Sequence, residues 1–250
     1  AARLGGRVSF VGVVGRDAAG QAFVKLLEAE QVAHQNVRRT DRAPTAAGFI
    51  ITDPHGHNII TVDMGANALL SRRDVDAAAG SIRDAGVVLM PLEIPLPTAL
   101  YAARRGRSLG ATTILNPGPA QDLTRHDLSG LDYLTPNETE ARVCAGLEPT
   151  DRRPDDDVAA RLLKRGCRNV VITRGAQGCR LVNAQGSLAL PSFRVRAVDS
   201  VGAGDAFNAG LAVGLAEGRA IGEALRLACA AAALSVTQPD TIPSYHRRAA

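Results

Sequence analysis

The stretch AVDSVGAGDAFNAGLAVGLAEG, residues 197–218, decides how this chain folds. The seven residues from Asp199 to Asp205 carry two aspartates and two glycines directly before a long apolar run. Glycines punctuate regular structure and a run this apolar reads as a buried helix. The stretch therefore predicts a strand over Val195 to Val198, a turn, and a helix over Ala206 to Gly218. In open parallel sheets ligands gather at the carboxyl ends of strands, where helix N-termini aim free N–H groups outward. Gly202 and Gly204 carry no side chains, so the amides of Gly202, Ala203 and Gly204 can converge on an anion, helped by the positive end of the helix dipole. Asp205 is then a puzzle, because a carboxylate repels an anion. It makes sense if it accepts the proton of a hydroxyl that attacks a phosphorus held over the amides. In the competing reading Asp205 caps the helix and the glycines only make a tight turn. Spacing alone leaves both open.

Outward from this turn, strand-like and helix-like segments alternate. Val8 to Val14 predicts a strand and Gln21 to Glu30 a helix. A helix that Ser71 caps, with Asp74 in the capping-box position, leads to a buried strand over Val87 to Leu92. Thr112 to Leu115, Tyr133 to Thr135 and Val170 to Thr173 supply further strands, with a helix over Asn137 to Ala145. This order predicts a largely parallel sheet covered on both faces. Two hairpins interrupt it. Residues 46–65 turn at Asp53-Pro54-His55-Gly56 and form a candidate lid or dimer surface; Gly178 to Phe193 turn at Asn183 to Gly186. The Ala-rich segment Glu223 to Val236 reads as a buried core helix.

With 250 residues, 46% of them hydrophobic and 22% charged, the chain can bury the core of one large domain. Lys and Arg total 29 against 25 Asp and Glu, but the basic residues come in scattered pairs and aromatics are only 3%, which argues against nucleic-acid recognition by base stacking. No apolar run is long enough to span a membrane, and the first ten residues lack the zones of a signal peptide. Cys144, Cys167, Cys179 and Cys229 are widely spaced, so buried reduced thiols are expected and zinc ligands are lacking. These features predict a cytoplasmic protein. No GxxxxGK[ST] loop occurs, Gly12, Gly15 and Gly20 do not make GxGxxG, and no GxSxG nucleophile elbow is present.

At the glycine turn the sequence resembles the ribokinase-like (PfkB) carbohydrate kinases. Their D-[TS]-x-[GA]-A-G-D-x-F signature is met by Asp199-Ser200-Val201-Gly202-Ala203-Gly204-Asp205-Ala206-Phe207. TPNETEA (135–141) resembles the family's NxxE motif, MGANALLS (64–71) and LNPGPA (115–120) resemble further segments, and VVITRGAQG (170–178) its nucleotide-binding strand and turn. The motifs occur in the family's order and run from end to end of the chain.

The resemblance implies one three-layer α/β/α sandwich domain over residues 1–250, with a mainly parallel central sheet and a small β lid to which residues 37–65 contribute. It implies transfer of the ATP γ-phosphoryl group to a sugar hydroxyl, D-ribose first, with fructose or 2-keto-3-deoxygluconate as alternatives. Asp205 would be the base, and the amides of Gly202, Ala203 and Gly204 the anion hole. Asn137 and Glu140 would organise Mg²⁺ and phosphates through water; from the residues alone they read as an N-cap and its capping-box partner. Thr173, Gly175, Gly178 and Gly204 match nucleotide positions, as does Cys229, which stands where the family often has His or Asn. Glu93 matches a sugar-site glutamate. K⁺ would take Asp199, the Val201 carbonyl and groups around Ser235, Gln238, Asp240 and Ser244, with Asp240 replacing the usual Gly. A homodimer paired through the lid is the implied partner state. The family's substrate-binding N-terminal strand and GGxxAN segment lie upstream of the position matched by Ala1, and the chain lacks an initiator Met. It therefore reads as one whose beginning is missing, the competing reading being a non-catalytic ATP-binding fragment.

Overall fold

Side chains of the central strands alternate between two buried faces, which is what a sheet covered on both sides requires. The computed structural model describes residues 1–52 and 58–248. It opens with β1 (Ser9–Gly15), α1 (Ala18–Ala29) and β2 (Ala33–Thr40), followed by β3 (Ala47–Thr52) and β4 (Asn58–Asp63). Helices α2 (Arg72–Ala77) and α3 (Ala79–Arg83) lead to β5 (Val87–Pro91), α4 (Leu96–Ser108), β6 (Thr112–Asn116), β7 (Tyr133–Leu134) and α5 (Glu138–Cys144). Then come α6 (Asp155–Leu163), β8 (Asn169–Thr173), β9 (Cys179–Asn183), β10 (Gly186–Leu190), α7 (Ala203–Ala216), α8 (Ile221–Ser235) and α9 (Thr241–Ser244).

Six strands form the central sheet in the order β10-β9-β8-β7-β6-β5. The pairs β5-β6, β6-β7 and β7-β8 are parallel, and the β9-β10 hairpin closes one edge with antiparallel pairs. Leu115, Leu134, Val170 and Ile172 face one core with α2 to α6, whereas Ile114, Val171, Leu181 and Leu190 face the other with α7 and α8. The sandwich is thus three layers deep. Strands β1 and β2 form a separate parallel pair, and β3 and β4 a separate antiparallel one, with residues 37–40 of the expected lid belonging to β2. The expected turn at residues 53–56 lies outside the described residues.

Helices α7 and α8 pack closely because glycine keeps the α7 backbone bare where alanines of α8 meet it. A Cβ on Gly210 would stand 2.7 Å from the Ala228 Cα, and one on Gly214 would stand 2.8 Å from the Ala224 Cα. The capping box at Ser71 forms as expected, the Asp74 carboxylate accepting from the Ser71 amide at 2.9 Å. All four cysteines are buried and unpaired by disulfides, and burial pushes the Cys144 and Cys167 thiols up to about 12. Among the described residues no helix is long and apolar enough to cross a membrane.

Two expectations are corrected. Val195 to Val198 is not a strand: the Val198 and Asp199 amides donate to the Val236 carbonyl at 2.7 and 3.3 Å, docking this segment on the end of α8 instead of a sheet edge. Helix α7 starts at Ala203 and not at Ala206, because Gly202, at φ 79°, makes the whole turn in one left-handed step and serves as the N-cap.

Candidate active site

The parallel strands all present their carboxyl ends to one edge of the sheet, and the site residues follow from that. Glu93 comes just after β5, Asn116 ends β6, Asn137 follows β7 and Thr173 ends β8. Asn137 and Thr173 form a parallel bridge, and the Thr173 amide donates to the Pro136 carbonyl at 2.9 Å. Helix α7 brings its N-terminus to the same edge. It is held there by a buried contact that spacing did not reveal: the Thr135 hydroxyl donates to the Asn208 side-chain oxygen at 2.6 Å, and Asn208 Nδ2 donates to the Gly204 carbonyl at 2.9 Å. The available signal was a buried amide one helical turn after Gly204.

Asp205 sits in the first turn of α7 and does not cap it, so the capping alternative fails. Among the described residues the amides of Gly202, Gly204 and Asp205 have no protein acceptor, whereas the Ala203 amide donates to the Ser200 carbonyl at 3.2 Å. Three N–H groups are therefore free at a helix N-terminus, which suits an anion. Surrounding protein desolvates the Asp205 carboxyl and raises its pKa, although the residue is exposed at its outer side; the nearby Tyr245 hydroxyl works the other way. Burial raises Glu93 and Glu140 too, and the Asp205 charge adds to both. Asp205 thus lies near enough to each of the two glutamates for its charge to be felt there.

Asn137 and Glu140 form a capping box: the Asn137 amide donates to Glu140 Oε2 at 2.8 Å, and the Glu140 amide to Asn137 Oδ1 at 2.8 Å. The capping-box reading is the observed contact. It uses one carboxylate oxygen, while Oε1 lies 3.4 Å from where a Gly118 Cβ would stand, so a larger residue there would crowd it. Among the described residues no cluster of three or more His, Cys, Asp and Glu is assembled as a metal site. The charge surplus around Glu140 and its free oxygen fit Mg²⁺ that retains much of its water.

Gly175 and Gly178 take positive φ values of 52° and 93°, and the Arg174 amide donates to the Gly178 carbonyl at 2.8 Å, closing the turn after β8. Cys229 is only 3% exposed, with its sulfur 3.8 Å from that of Cys179, so its side chain belongs to the core beneath α8 and offers little surface to a ligand.

The residues expected around K⁺ come from three segments. The Asp199 carboxylate accepts from the Val201 amide at 2.9 Å. The Ser235 and Ser244 side chains are buried and donate to the Ala232 and Thr241 carbonyls at 2.9 and 2.7 Å, leaving oxygen lone pairs to accept a hard cation, while Gln238 is exposed. Asp240 takes φ 64° and ψ 164°, a conformation that glycine adopts freely. The loop therefore keeps its glycine-like course with aspartate in place, at a cost in strain. Asp240→Gly is expected to stabilise the protein by about 1 kcal/mol, the strain relieved less glycine's extra freedom when unfolded, read as a rise in the urea midpoint. An unchanged or lower midpoint would remove the argument for strain.

Carboxylates and free helix amides gathered at the carboxyl edge of a parallel sheet are an arrangement that suits phosphoryl transfer in an α/β sandwich. The chain belongs to the pfkB family of carbohydrate kinases, whose family model matches residues 1–248. It is 35% identical to the ribokinase of Haemophilus influenzae over 99% of this chain and 81% of the relative, and 35% identical to the Mus musculus ribokinase over 98% and 77%. Its fold matches that of Thermotoga maritima ribokinase with a TM-score of 0.88 at 32% identity, over 99% of this chain and 81% of that one. Arabidopsis thaliana ribokinase, solved with ribose and ATP, matches with a TM-score of 0.86 at 30% identity, over 98% and 80%. The three-layer fold and the carbohydrate-kinase class expected from the motifs are borne out.

Proposed function

We propose that this enzyme transfers the γ-phosphoryl group of ATP to a hydroxyl of D-ribose, giving ribose 5-phosphate. The observation that carries this is the placement of Asp205 in the first turn of α7, beside free amides and near enough to Glu93 and Glu140 for its charge to be felt at both. Glu93 accepts sugar hydroxyls and orients the acceptor. Asp205 takes the proton of the attacking hydroxyl as its oxygen bonds to phosphorus. The backbone amides at the start of α7 receive the charge spread over the transferring group. Thr173, Gly175 and Gly178 form the bed on which the nucleotide lies, the glycines permitting close backbone approach. Glu140, through water, and Asn137 would hold Mg²⁺, which when bound neutralises phosphate charge; Asp199, the Val201 carbonyl and the 235–244 loop would hold K⁺.

Support for ribose comes from relatives named ribokinase and from the Arabidopsis complex. A second acceptor, deoxyribose, is favoured by a Salmonella typhi relative named deoxyribokinase that is 31% identical over 98% of this chain. Phe49 on β3 is 60% exposed, which suits pairing of two lids in a homodimer. The substrate is tested by ADP release with Mg-ATP and K⁺ against ribose, deoxyribose, fructose, 2-keto-3-deoxygluconate and adenosine. Ribose is expected to stimulate most strongly; stronger stimulation by another sugar reassigns the acceptor, and ATP binding without stimulation by any would favour a non-catalytic role.

A further inference from the structure

Tyr245 follows α9 and is half-buried, with its ring tip resting on the glycine turn. Its hydroxyl donates to the Gly202 carbonyl at 3.3 Å. A Cβ on Gly202 would stand 2.5 Å from that hydroxyl oxygen and 2.3 Å from the Thr241 Cγ2, so only glycine leaves room for this contact. The tyrosine is itself held in place. Arg3 donates to the Tyr245 carbonyl at 2.8 Å and to the Ile242 carbonyl at 2.6 Å, while its guanidinium is gripped by the Glu30 carboxylate at 2.6 and 3.0 Å.

Peptide planarity gives this contact its reach. The Gly202 carbonyl and the Ala203 N–H belong to one rigid plane, and that N–H already donates to the Ser200 carbonyl at 3.2 Å, so fixing the carbonyl locks the turn from which the free Gly204 and Asp205 amides follow. The same carbonyl accepts the first hydrogen bond of α7, from the Ala206 amide at 2.9 Å, so its direction also sets the axis on which Asp205 is carried. The Tyr245 hydroxyl is close enough to Asp205 to draw its carboxyl pKa down against the effect of burial.

Resting on the kinase reading above, we propose that Tyr245 is a positioning residue for phosphoryl transfer. Its hydroxyl holds the Gly202 peptide so that the free amides and Asp205 keep their places relative to the reacting phosphorus. The tyrosine touches no substrate; it acts through the turn.

The test is Tyr245→Phe, which keeps the ring and removes only the hydroxyl. The expected result is a kcat about tenfold lower, the scale of one well-placed hydrogen bond, with KM for sugar and for ATP within about twofold and the melting temperature lower by no more than about 4 °C. Binding of Mg-ADP with aluminium fluoride, a mimic of the transferring phosphoryl group, is expected to weaken by a similar factor while binding of Mg-ADP alone does not. An unchanged kcat, or a loss that appears in KM or in melting temperature instead, overturns the positioning role. Wild-type protein is assayed first: if it shows no sugar-dependent ADP release, the kinase reading falls and takes this proposal with it. An active wild type with an unaffected variant overturns the proposal alone.

Discussion

Replacing Asp205 by Asn is expected to lower kcat at least about a hundredfold while leaving ATP affinity nearly unchanged, the scale on which a positioned general base contributes. Asparagine has the same shape, but it cannot take a proton from the attacking hydroxyl. Unfolding will not confuse the result. The Asp205 carboxyl is raised in the folded protein, so the folded state binds this proton more tightly than the unfolded chain does. Its contribution therefore favours the folded state below the ordinary carboxylate range and diminishes as pH rises through the raised value. At neutral pH the charge is a cost, and the Asn variant should melt at the same temperature or slightly higher. Steady-state kinetics with a thermal melt on each protein settle the matter, and full activity in the variant would sink the base assignment.

Gly178→Val is expected to cost on the order of 3 kcal/mol, the sum of a forbidden backbone conformation and overpacking. Gly178 takes φ 93° and ψ −127°, where a β-branched residue is strained. A Cβ would also stand 2.0 Å from the Leu190 carbonyl oxygen and 2.6 Å from the Ser192 amide. Both are backbone atoms at the end of β10, so no side-chain rotation can relieve the clash. The edge hairpin must move, and with it the turn proposed to bed the nucleotide. Urea denaturation gives the stability loss directly, and nucleotide affinity should fall in parallel; a loss under about 1 kcal/mol would show that the hairpin yields easily. Gly175→Val provides the contrast, since nothing lies within 4 Å of a Cβ there, although φ 52° still carries a backbone cost.

Much of the molecule was legible before any coordinates. The strands at Val87, Thr112, Tyr133 and Val170 and the helix after Asn137 form where the apolar runs place them, because buried parallel strands are written in continuous apolar runs. Both capping boxes, Ser71 with Asp74 and Asn137 with Glu140, formed as read, since such a box joins residues three apart and depends on nothing distant. The glycine turn is legible too, but its spacing puts the helix start three residues late, because glycine's freedom does not say which glycine uses it.

What remained hidden depends on contacts far apart in the chain. Val195 to Val198 looks like a strand by composition, yet its end is claimed by the Val236 carbonyl of another element. Cys229 matched a ligand position, and only packing shows that it turns toward Cys179. Asn208 meets Thr135 across 73 residues, and Tyr245 meets Gly202 across 43. Sequence alone fixes the covered parallel sheet, the capping boxes and the glycine turn, because periodicity, caps and glycines act over a few residues. Only the fold settles which glutamates Asp205 lies near, which amides stay free and which tyrosine meets the turn, because those are properties of distance through space.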